Sequence, residues 1–340
     1  MKKPHLTRKH AIIAGIIVLL IVAYGVLLPY PIHHAAQKRC VVWLECRYCF
    51  ALTASGCDTL YFNGINADTS FTRVSSNRQD VELKTCGNGF WYSPTFLIHH
   101  CRGRILTTTG IAMPDTSLNT VRKLLRPLLQ KEGLLFKKQN KQMAENDKQL
   151  AYYMNTHDVT DEGYNQVALY QNKFKQKMVQ FGKAYNTLNA LAKSPHVTAE
   201  YLPLFSYRLT TRTHTLSAAA RPCRLDTAYL QRGIAVLRTN NRKIPLKCIS
   251  LSKHLFNLMS FTSDDNPKNV YLLAYNVTPA KRPEAGIVPD KIPGRAWKTK
   301  NSTVYHTSLP VLEAGQGAPV VDRQGVLIGI AGPDGIIPIQ

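Results

Sequence analysis

The sequence has few acidic residues and lacks the short motifs that bind nucleotides or metal ions. Its 340 residues contain 21 Asp and Glu against 43 Lys and Arg, a formal net charge of +22. It has no glycine-rich phosphate loop, no helical H-E-x-x-H and no acidic calcium loop. We therefore expect no cofactor and no catalytic metal.

Long hydrophobic runs and internal repeats are also scarce. Hydrophobic residues make up an ordinary 44% of the chain, and only one stretch could cross a bilayer. This composition excludes a polytopic membrane protein, a collagen-like fibre and disorder throughout. The remainder, roughly 300 residues, is long enough for one two-part domain or two ordinary domains.

The single apolar run covers residues 11–32 and contains no charged residue. At a rise of 1.5 Å per residue it covers a hydrocarbon core of about 30 Å. Four basic residues lie within residues 1–10, so the positive-inside rule predicts a cytoplasmic tail and sends the rest of the chain outside. With no A-x-A site, we expect an uncleaved signal anchor and a periplasmic or extracellular main domain.

All eight cysteines follow this run: Cys40, Cys46, Cys49, Cys57, Cys86, Cys101, Cys223 and Cys248. An even number on the translocated side favours disulfides. The first four lie in a cysteine-rich lead-in, residues 33–80, and include one C-x-x-C. They could instead form a four-thiolate zinc site.

The excess of basic residues favours an anionic partner, such as an acidic envelope polymer or a lipid surface. The basic residues are spread along the chain and accompany no recognised nucleic-acid motif. We therefore predict no nucleic-acid partner.

Two strand-rich regions flank a helical one. Residues 81–116 and 194–340 contain short runs of β-branched and aromatic residues broken by turn residues. Residues 117–193 have almost no Gly or Pro, and their apolar residues recur at helical spacing. A polar stretch near Asp158 would separate two arms, and Phe174 and Phe181 belong to a seam expected to pack on another helix. We predict an antiparallel helical hairpin inserted into a β fold. This hairpin is either an arm that binds a partner or an insertion that folds back onto the body.

The C-terminal region carries a glycine turn between strands. Residues 314–322 read A-G-Q-G-A-P-V-V-D and are followed by G-V-L-I-G-I. This pattern resembles the nucleophile region of trypsin-like serine proteases, G-x-S-G-[GA]-P-[VL]-[VLF], and Gln316 stands at the serine position. The resemblance implies an oxyanion-type site formed by the backbone amides of Ala314 and Gln316.

A second stretch, C-G-N-G-F-W-Y-S-P from Cys86, resembles the first-barrel strand of the same family, which leads to a histidine. Two registers are possible. In the first, I-L-T-T-T-G-I at residues 105–111 places Gly110 at the histidine position. In the second, I-H-H-C at residues 98–101 retains His100, and Cys101 pairs with Cys86. The first fits over more residues and is preferred.

A third stretch, R-L-D-T-A-Y-L, resembles the strand D-[LI]-A-[LV]-L and places Asp226 at the position of the triad carboxylate. The interval from Gly110 to Asp226 exceeds that of the family by about the length of the predicted hairpin. The predicted insertion therefore explains why this interval is longer than in the family.

The resemblance implies a trypsin-like double β-barrel, of six strands each, with a peptide-binding cleft, an inserted helical hairpin and a membrane anchor. A carboxamide cannot act as the nucleophile in acyl transfer. We therefore expect a pseudoprotease that binds a polypeptide or scaffolds an envelope complex.

Two alternatives stay open. One is a working hydrolase with a displaced nucleophile and with His99 or His100 as the base. Its candidate groups are Ser302, Thr303, His306 and Thr307. The other is a structural envelope subunit with a single membrane span that assembles through its helical arm.

Overall fold

The computed structural model describes residues 37–93, 103–113, 118–240, 249–250, 267–277, 284–298, 302–310, 315–323 and 325–339. The predicted anchor at residues 11–32 lies outside these ranges, as do His99, His100, Cys101, Cys248 and Ala314. No helix within the described ranges is both long enough and apolar enough to span a bilayer.

The described chain is mainly β. Its strands are β1 (Val41–Thr53), β2 (Leu60–Phe62), β3 (Val74–Ser75), β4 (Leu83–Ser93), β5 (Arg104–Thr108), β6 (Thr198–Leu209), β7 (Arg221–Tyr229), β8 (Ile234–Thr239), β9 (Ile249–Ser250), β10 (Lys268–Ala274), β11 (Asp290–Trp297), β12 (His306–Thr307), β13 (Pro319–Asp322), β14 (Leu327–Ala331) and β15 (Ile336–Pro338). Its α-helices are α1 (Thr109–Ala112), α2 (Leu118–Thr156) and α3 (Tyr164–Lys193).

The chain divides into two compact units. The barrel unit comprises Met1–Cys46, Thr85–Ala112 and Phe205–Gln340. The helical unit comprises Arg47–Lys84 and Met113–Leu204. Strands β1, β4 and β6 contribute residues to both.

The first barrel is a sheet that closes on itself. Its strands follow the order β1-β6-β7-β8-β5-β4, and β4 also pairs with β1. The sequence of β8, I-A-V-L-R-T, consists largely of β-branched and aliphatic residues, and the first four are buried. The same nine-stranded sheet continues beyond these six strands, because β2 and β3 extend it from β1 and β9 pairs with β4.

The second barrel has six strands in the order β12-β11-β10-β13-β14-β15. An antiparallel bridge between Tyr305 and Ile336, with N–H to O distances of 2.8 and 2.9 Å, joins the two ends. When the six strands of each barrel are numbered along the chain, both barrels have the same cyclic order, 1-2-3-6-5-4. The barrel unit is therefore built from one topology used twice.

The cores of the two barrels are contiguous within the barrel unit. One buried cluster contains Trp43 and Phe90 from the first barrel and Tyr275 and Val321 from the second. The Trp43 and Tyr275 rings meet edge to face at 6.5 Å. A second cluster fills the interior around Val320 and belongs to the second barrel alone.

The helical unit has a separate core. Helices α2 and α3 form a hairpin in the stretch where the sequence predicts one. Phe136 of α2 stacks on Phe181 of α3 with ring centroids 4.6 Å apart. The same core includes Phe50 of β1 and Phe62 of β2. Residues 47–84 therefore pack with the helices, and the segment predicted as a lead-in, residues 33–80, is divided between the two units.

The cysteines do not form the predicted cross-links within the described residues. No disulfide joins any of the six that are described, including Cys40, Cys86 and Cys57. Cys46 and Cys49 lie three residues apart in β1, so their side chains point to opposite faces and their Cα atoms are about 10 Å apart. A disulfide needs a Cα separation below about 7 Å. The described part of the chain also holds no cluster of three or more metal-binding side chains.

Candidate functional site

The turn that carries Gln316 lies immediately before β13. Gly317 has φ +79°, and its N–H donates to the Ala331 carbonyl at 2.9 Å. A Cβ atom on residue 317 would lie 2.0 Å from the Asn88 carbonyl oxygen and 2.4 Å from Thr107 Oγ1. Only glycine meets both conditions, because the backbone is left-handed and the neighbouring strands leave no room.

Asn88 of β4 holds this turn against the first barrel. Its N–H donates to the Gln316 carbonyl at 2.8 Å, and its own carbonyl accepts from Thr107 Oγ1 at 2.8 Å. Its fully buried side chain accepts the Tyr275 N–H at 2.8 Å through Oδ1. Burial raises the pKa of the Tyr275 phenol to about 12, although the hydrogen bond to Thr210 and the charge of Arg208 lower it. Asn88, which holds Gln316, is itself held by uncharged groups, the Thr107 hydroxyl and the Tyr275 main-chain N–H.

Gly110 and Gln316 face each other. Gly110 is exposed and lies in α1, directly after β5. The carboxamide oxygen Oε1 of Gln316 lies 3.5 Å from the position that a Cβ atom on residue 110 would take. The structure therefore brings together the residues predicted for the nucleophile position and, in the preferred register, for the histidine position. His100, the histidine of the other register, lies outside the described residues.

Asp226 lies elsewhere in the first barrel. It is the extra residue of a bulge in β7, and its carboxylate is 3.7 Å from Arg238 Nη1. The registers of β7 with β8 and of β8 with β5 place it level with Ile105, two strands away. Neighbouring strands are ~4.8 Å apart, so Asp226 of β7 lies about 10 Å from β5 across the sheet. Gly110 lies further along the chain, beyond the end of β5. The structure does not bring Asp226 to Gly110.

Asp226 instead belongs to the surroundings of a buried tyrosine. Burial raises the pKa of the Tyr92 phenol, and the Asp226 carboxylate adds to the rise, whereas Arg104 lowers it. The described ion pair of Asp226 is therefore with Arg238, and no described imidazole is among its partners.

The residue beside Gly110 is Gly233. The N–H of Thr109 donates to the Gly233 carbonyl at 2.9 Å, and Gly110 and Gly233 line the same cleft. The sequence from residue 233 reads G-I-A-V-L, which matches the form D-[LI]-A-[LV]-L at four of five positions. The match is hard to find in the sequence, because residue 233 has no carboxylate and the aspartate at residue 226 lies in a similar pattern.

A side chain at residue 233 would meet a neighbour. The Cδ1 atom of Ile337 lies 3.2 Å from the position of a Cβ atom on Gly233, which has φ +67°. Gly110 and Gly233 therefore both lie opposite side chains of the second barrel, Gln316 and Ile337. Neither glycine supplies a group that could accept a proton.

The hydroxyls proposed as displaced nucleophiles are engaged elsewhere. Ser302 Oγ donates to the Val304 carbonyl at 2.6 Å, and Thr307 Oγ1 donates to the Arg295 carbonyl at 3.0 Å. The exposed His306 ring stacks on Trp297. Thr303 lines the cleft with Gly110, but no imidazole within the described residues lines it too.

Comparisons with known proteins give weak likenesses. No protein-family model and no curated protein matches the chain. Among solved structures, Deg5 is 12% identical with a TM-score of 0.40, over 90% of this chain and 87% of Deg5. An inactive mutant of Rv3671c from M. tuberculosis H37Rv is 12% identical with a TM-score of 0.31, over 87% and 78% of the two chains. The MamO protease domain from Magnetospirillum magneticum is 15% identical with a TM-score of 0.26, over 44% and 72%. TM-scores below 0.5 do not establish a shared fold, so the double-barrel architecture stands on its own strand order.

Proposed function

We propose that this chain is a trypsin-like pseudoprotease that binds an extended polypeptide beside Gln316 without cleaving it. One observation carries the proposal: the Gln316 carboxamide lies opposite Gly110, where the resemblance puts the nucleophile opposite the histidine. Acyl transfer in such a site needs a hydroxyl, an imidazole and a carboxylate. Gln316, Gly110 and Gly233 supply none of them.

The same residues can still bind a peptide. Gln316 has a terminal NH₂ that can donate to a peptide carbonyl, and its Oε1 can accept a peptide N–H. Its main chain is held by Asn88 and by the turn at Gly317, so the backbone loses little conformational freedom on binding. The predicted anchor at residues 11–32 would place this site outside the membrane, where it could collect a secreted or envelope polypeptide.

The test uses the full chain and a random dodecapeptide library displayed on phage. Peptides that are enriched are synthesised with a fluorescent label, and their affinity is measured by anisotropy. We expect enriched peptides to lose at least tenfold in affinity for Gly110→Phe, because the new ring occupies the space beside Gln316. Gly133→Phe is the matched control, since that glycine is likewise in a helix, has no atom within 4 Å of its Cβ position and is far along the chain from Gln316.

Mass spectrometry of the bound peptides decides between binding and catalysis. Intact peptides after prolonged incubation support the proposal. Cleaved peptides, or equal affinity for Gly110→Phe and the natural chain, would refute it.

A further inference from the structure

The helical unit contains a cleft of about 440 Å³ that the proposed peptide site does not use. Its lining comes from residues 122–130 of α2 and from residues 191–197, at the end of α3 and just beyond it. The volume is within the range of small-ligand pockets, about 300–1,000 Å³. The cleft is therefore large enough to hold a small molecule or part of one.

Three cations and no carboxylate line this cleft. The cations are Arg122, Lys123 and Arg126, and all three are exposed. Among the described residues, none of the ion pairs includes any of the three. Arg122 and Arg126 are four residues apart on one helix, a spacing at which like charges destabilise the helix. An anion bound between them would remove this repulsion.

Both arginines are held in place by main-chain carbonyls that follow α3. Arg122 Nε donates to the Ala199 carbonyl at 3.2 Å, and Arg126 Nη2 donates to the Pro195 carbonyl at 3.1 Å. A guanidinium has five N–H groups, so each of these bonds leaves four for a ligand. Because the two side chains are already ordered, less free energy is lost in fixing them when a ligand binds.

Aliphatic side chains form the apolar part of the lining. Leu129 and Leu191 are buried, whereas Leu125 and Val197 are half-buried. A ligand that fills this cleft therefore needs an apolar body beside its anionic group.

The three cations favour a phosphate over a carboxylate. A phosphate monoester carries a charge of about −1.5 to −2 at pH 7, whereas a carboxylate carries a single charge. The terminal oxygens of a phosphate can also accept hydrogen bonds from two guanidinium groups at once.

We propose that this cleft binds a phosphate monoester with an aliphatic chain, the phosphate between Arg122 and Arg126 and the chain against Leu125 and Val197. The inference does not rest on the proposed function, because the lining residues belong to the helical unit and Gln316 belongs to the barrel unit. A membrane lipid with a phosphomonoester head group and a soluble ester share this chemistry.

The probes are hexyl phosphate, inorganic phosphate and hexanol, which separate the phosphate from the chain. Their dissociation constants are measured by calorimetric titration of the full chain in phosphatidylcholine nanodiscs, with empty nanodiscs as the blank. We expect hexyl phosphate to bind at least tenfold more tightly than inorganic phosphate, because each buried methylene group is worth a factor of about four. Hexanol should show no saturable binding. If hexyl phosphate binds no more tightly than either of the other probes, the proposal is wrong.

A double variant, Arg122→Gln with Arg126→Gln, tests the phosphate contacts. It should weaken hexyl phosphate binding by about tenfold or more, the usual worth of a hydrogen bond to a charged group. The matched control is Lys137→Gln with Lys141→Gln, an exposed pair at the same spacing on α2 that does not line the cleft. Equal losses in the two double variants would show attraction by overall charge alone and would refute the site.

Circular dichroism checks that the arginine variant keeps its helices. If it does not, Arg122→Lys with Arg126→Lys is measured in its place, because lysine keeps both charges and loses the planar fork. This variant should bind hexyl phosphate at least threefold more weakly, and unchanged affinity would contradict the proposed contacts.

Nanodiscs that also contain phosphatidic acid identify the source of the ligand. A lower apparent affinity for hexyl phosphate in these discs, absent in the arginine variant, supports the site with a lipid head group as its ligand. The same affinity in both kinds of disc supports the site with a soluble ester as its ligand.

Discussion

At the scale of single residues, the turn at Gln316 depends on the missing side chain at residue 317. The backbone there has φ +79°, and a Cβ atom would overlap the Asn88 carbonyl at 2.0 Å. We predict that Gly317→Ala destabilises the chain by about 2–5 kcal/mol, the sum of a left-handed alanine and an overpacked contact. The measurement is chemical denaturation followed by tryptophan fluorescence.

Gly56 provides the matched control, because its φ is +75° and nothing lies within 4 Å of its Cβ position. Gly56→Ala should therefore cost only the backbone penalty, about 1–2 kcal/mol. Equal losses for the two variants would mean that the contact with Asn88 does not constrain the turn.

Residue chemistry also explains what the sequence could and could not reveal. Gln316 was identifiable because glycines and a proline surround it in a distinctive order. Gly233 was not identifiable, because glycine carries no functional group. Asp226, seven residues earlier, has the carboxylate that the motif requires, so the motif was assigned to Asp226. A functional position that carries no side chain can be found only from its flanking apolar pattern or from the strand register.

At the scale of elements, Phe136 joins the two arms of the hairpin through aromatic contacts. Phe136 of α2 is 4% exposed and stacks on Phe181 of α3. We predict that Phe136→Ala costs about 3–5 kcal/mol in the helical unit, because it leaves a buried cavity. Phe174→Ala, in the half-buried part of the hairpin, should cost about 1 kcal/mol. Hydrogen exchange of the α2 and α3 amides measures both, and similar protection losses would contradict this ranking.

A second element-scale prediction concerns a buried carboxyl on α2. Glu132 is 6% exposed and accepts the Phe71 N–H at 3.2 Å. Burial is the main cause that raises its pKa above 4.5, and Asp68 adds to the rise, while the Phe71 N–H and Lys131 lower it. The folded chain therefore holds this proton more strongly than the unfolded chain. The stabilisation is present below about pH 4.5 and is lost as pH rises through the raised pKa.

Glu132→Gln removes the charge and keeps the acceptor for Phe71. We predict that the variant unfolds at a higher denaturant concentration than the natural chain at pH 7, and that the two become similar near pH 4. The exposed Asp68, whose pKa is lowered mainly by its hydrogen bond with Ser70, is present in both proteins, and the loss of its repulsion with Glu132 adds to the gain expected at pH 7. A variant that is less stable at pH 7 would show that Glu132 is ionised without cost.

Element types were easier to predict than their partners. The helical spacing and the scarcity of glycine and proline in residues 117–193 located α2 and α3. Nothing in the sequence of residues 47–84 indicated that they share a core with these helices, because their strands look like those of the barrels. The predicted cysteine cross-links were wrong for a related reason. The cysteine spacing would permit them in a loop, but Cys46 and Cys49 lie within a thirteen-residue strand, where their side chains point to opposite faces.

At the scale of the whole molecule, two barrels with one strand order place Gln316 and Gly110 together from distant parts of the chain. Strand order is a property of long-range pairing, which local patterns do not record. The sequence implied two barrels only through its resemblance to a family. The hydrogen-bonded registers and the Tyr305–Ile336 bridge provide that architecture independently.

This arrangement predicts that the complete chain lacks serine-hydrolase chemistry. We expect no labelling of the natural chain by a fluorophosphonate, and none of Gln316→Ser, because a restored hydroxyl opposite Gly110 has no imidazole among the described lining residues to act as its base. Loss of a single triad member typically lowers turnover by about a million-fold. Trypsin labelled in the same experiment is the positive control. A label mapped to Ser302 or Thr303 would show a displaced nucleophile, whereas strong labelling of Gln316→Ser would show that an imidazole does reach the turn.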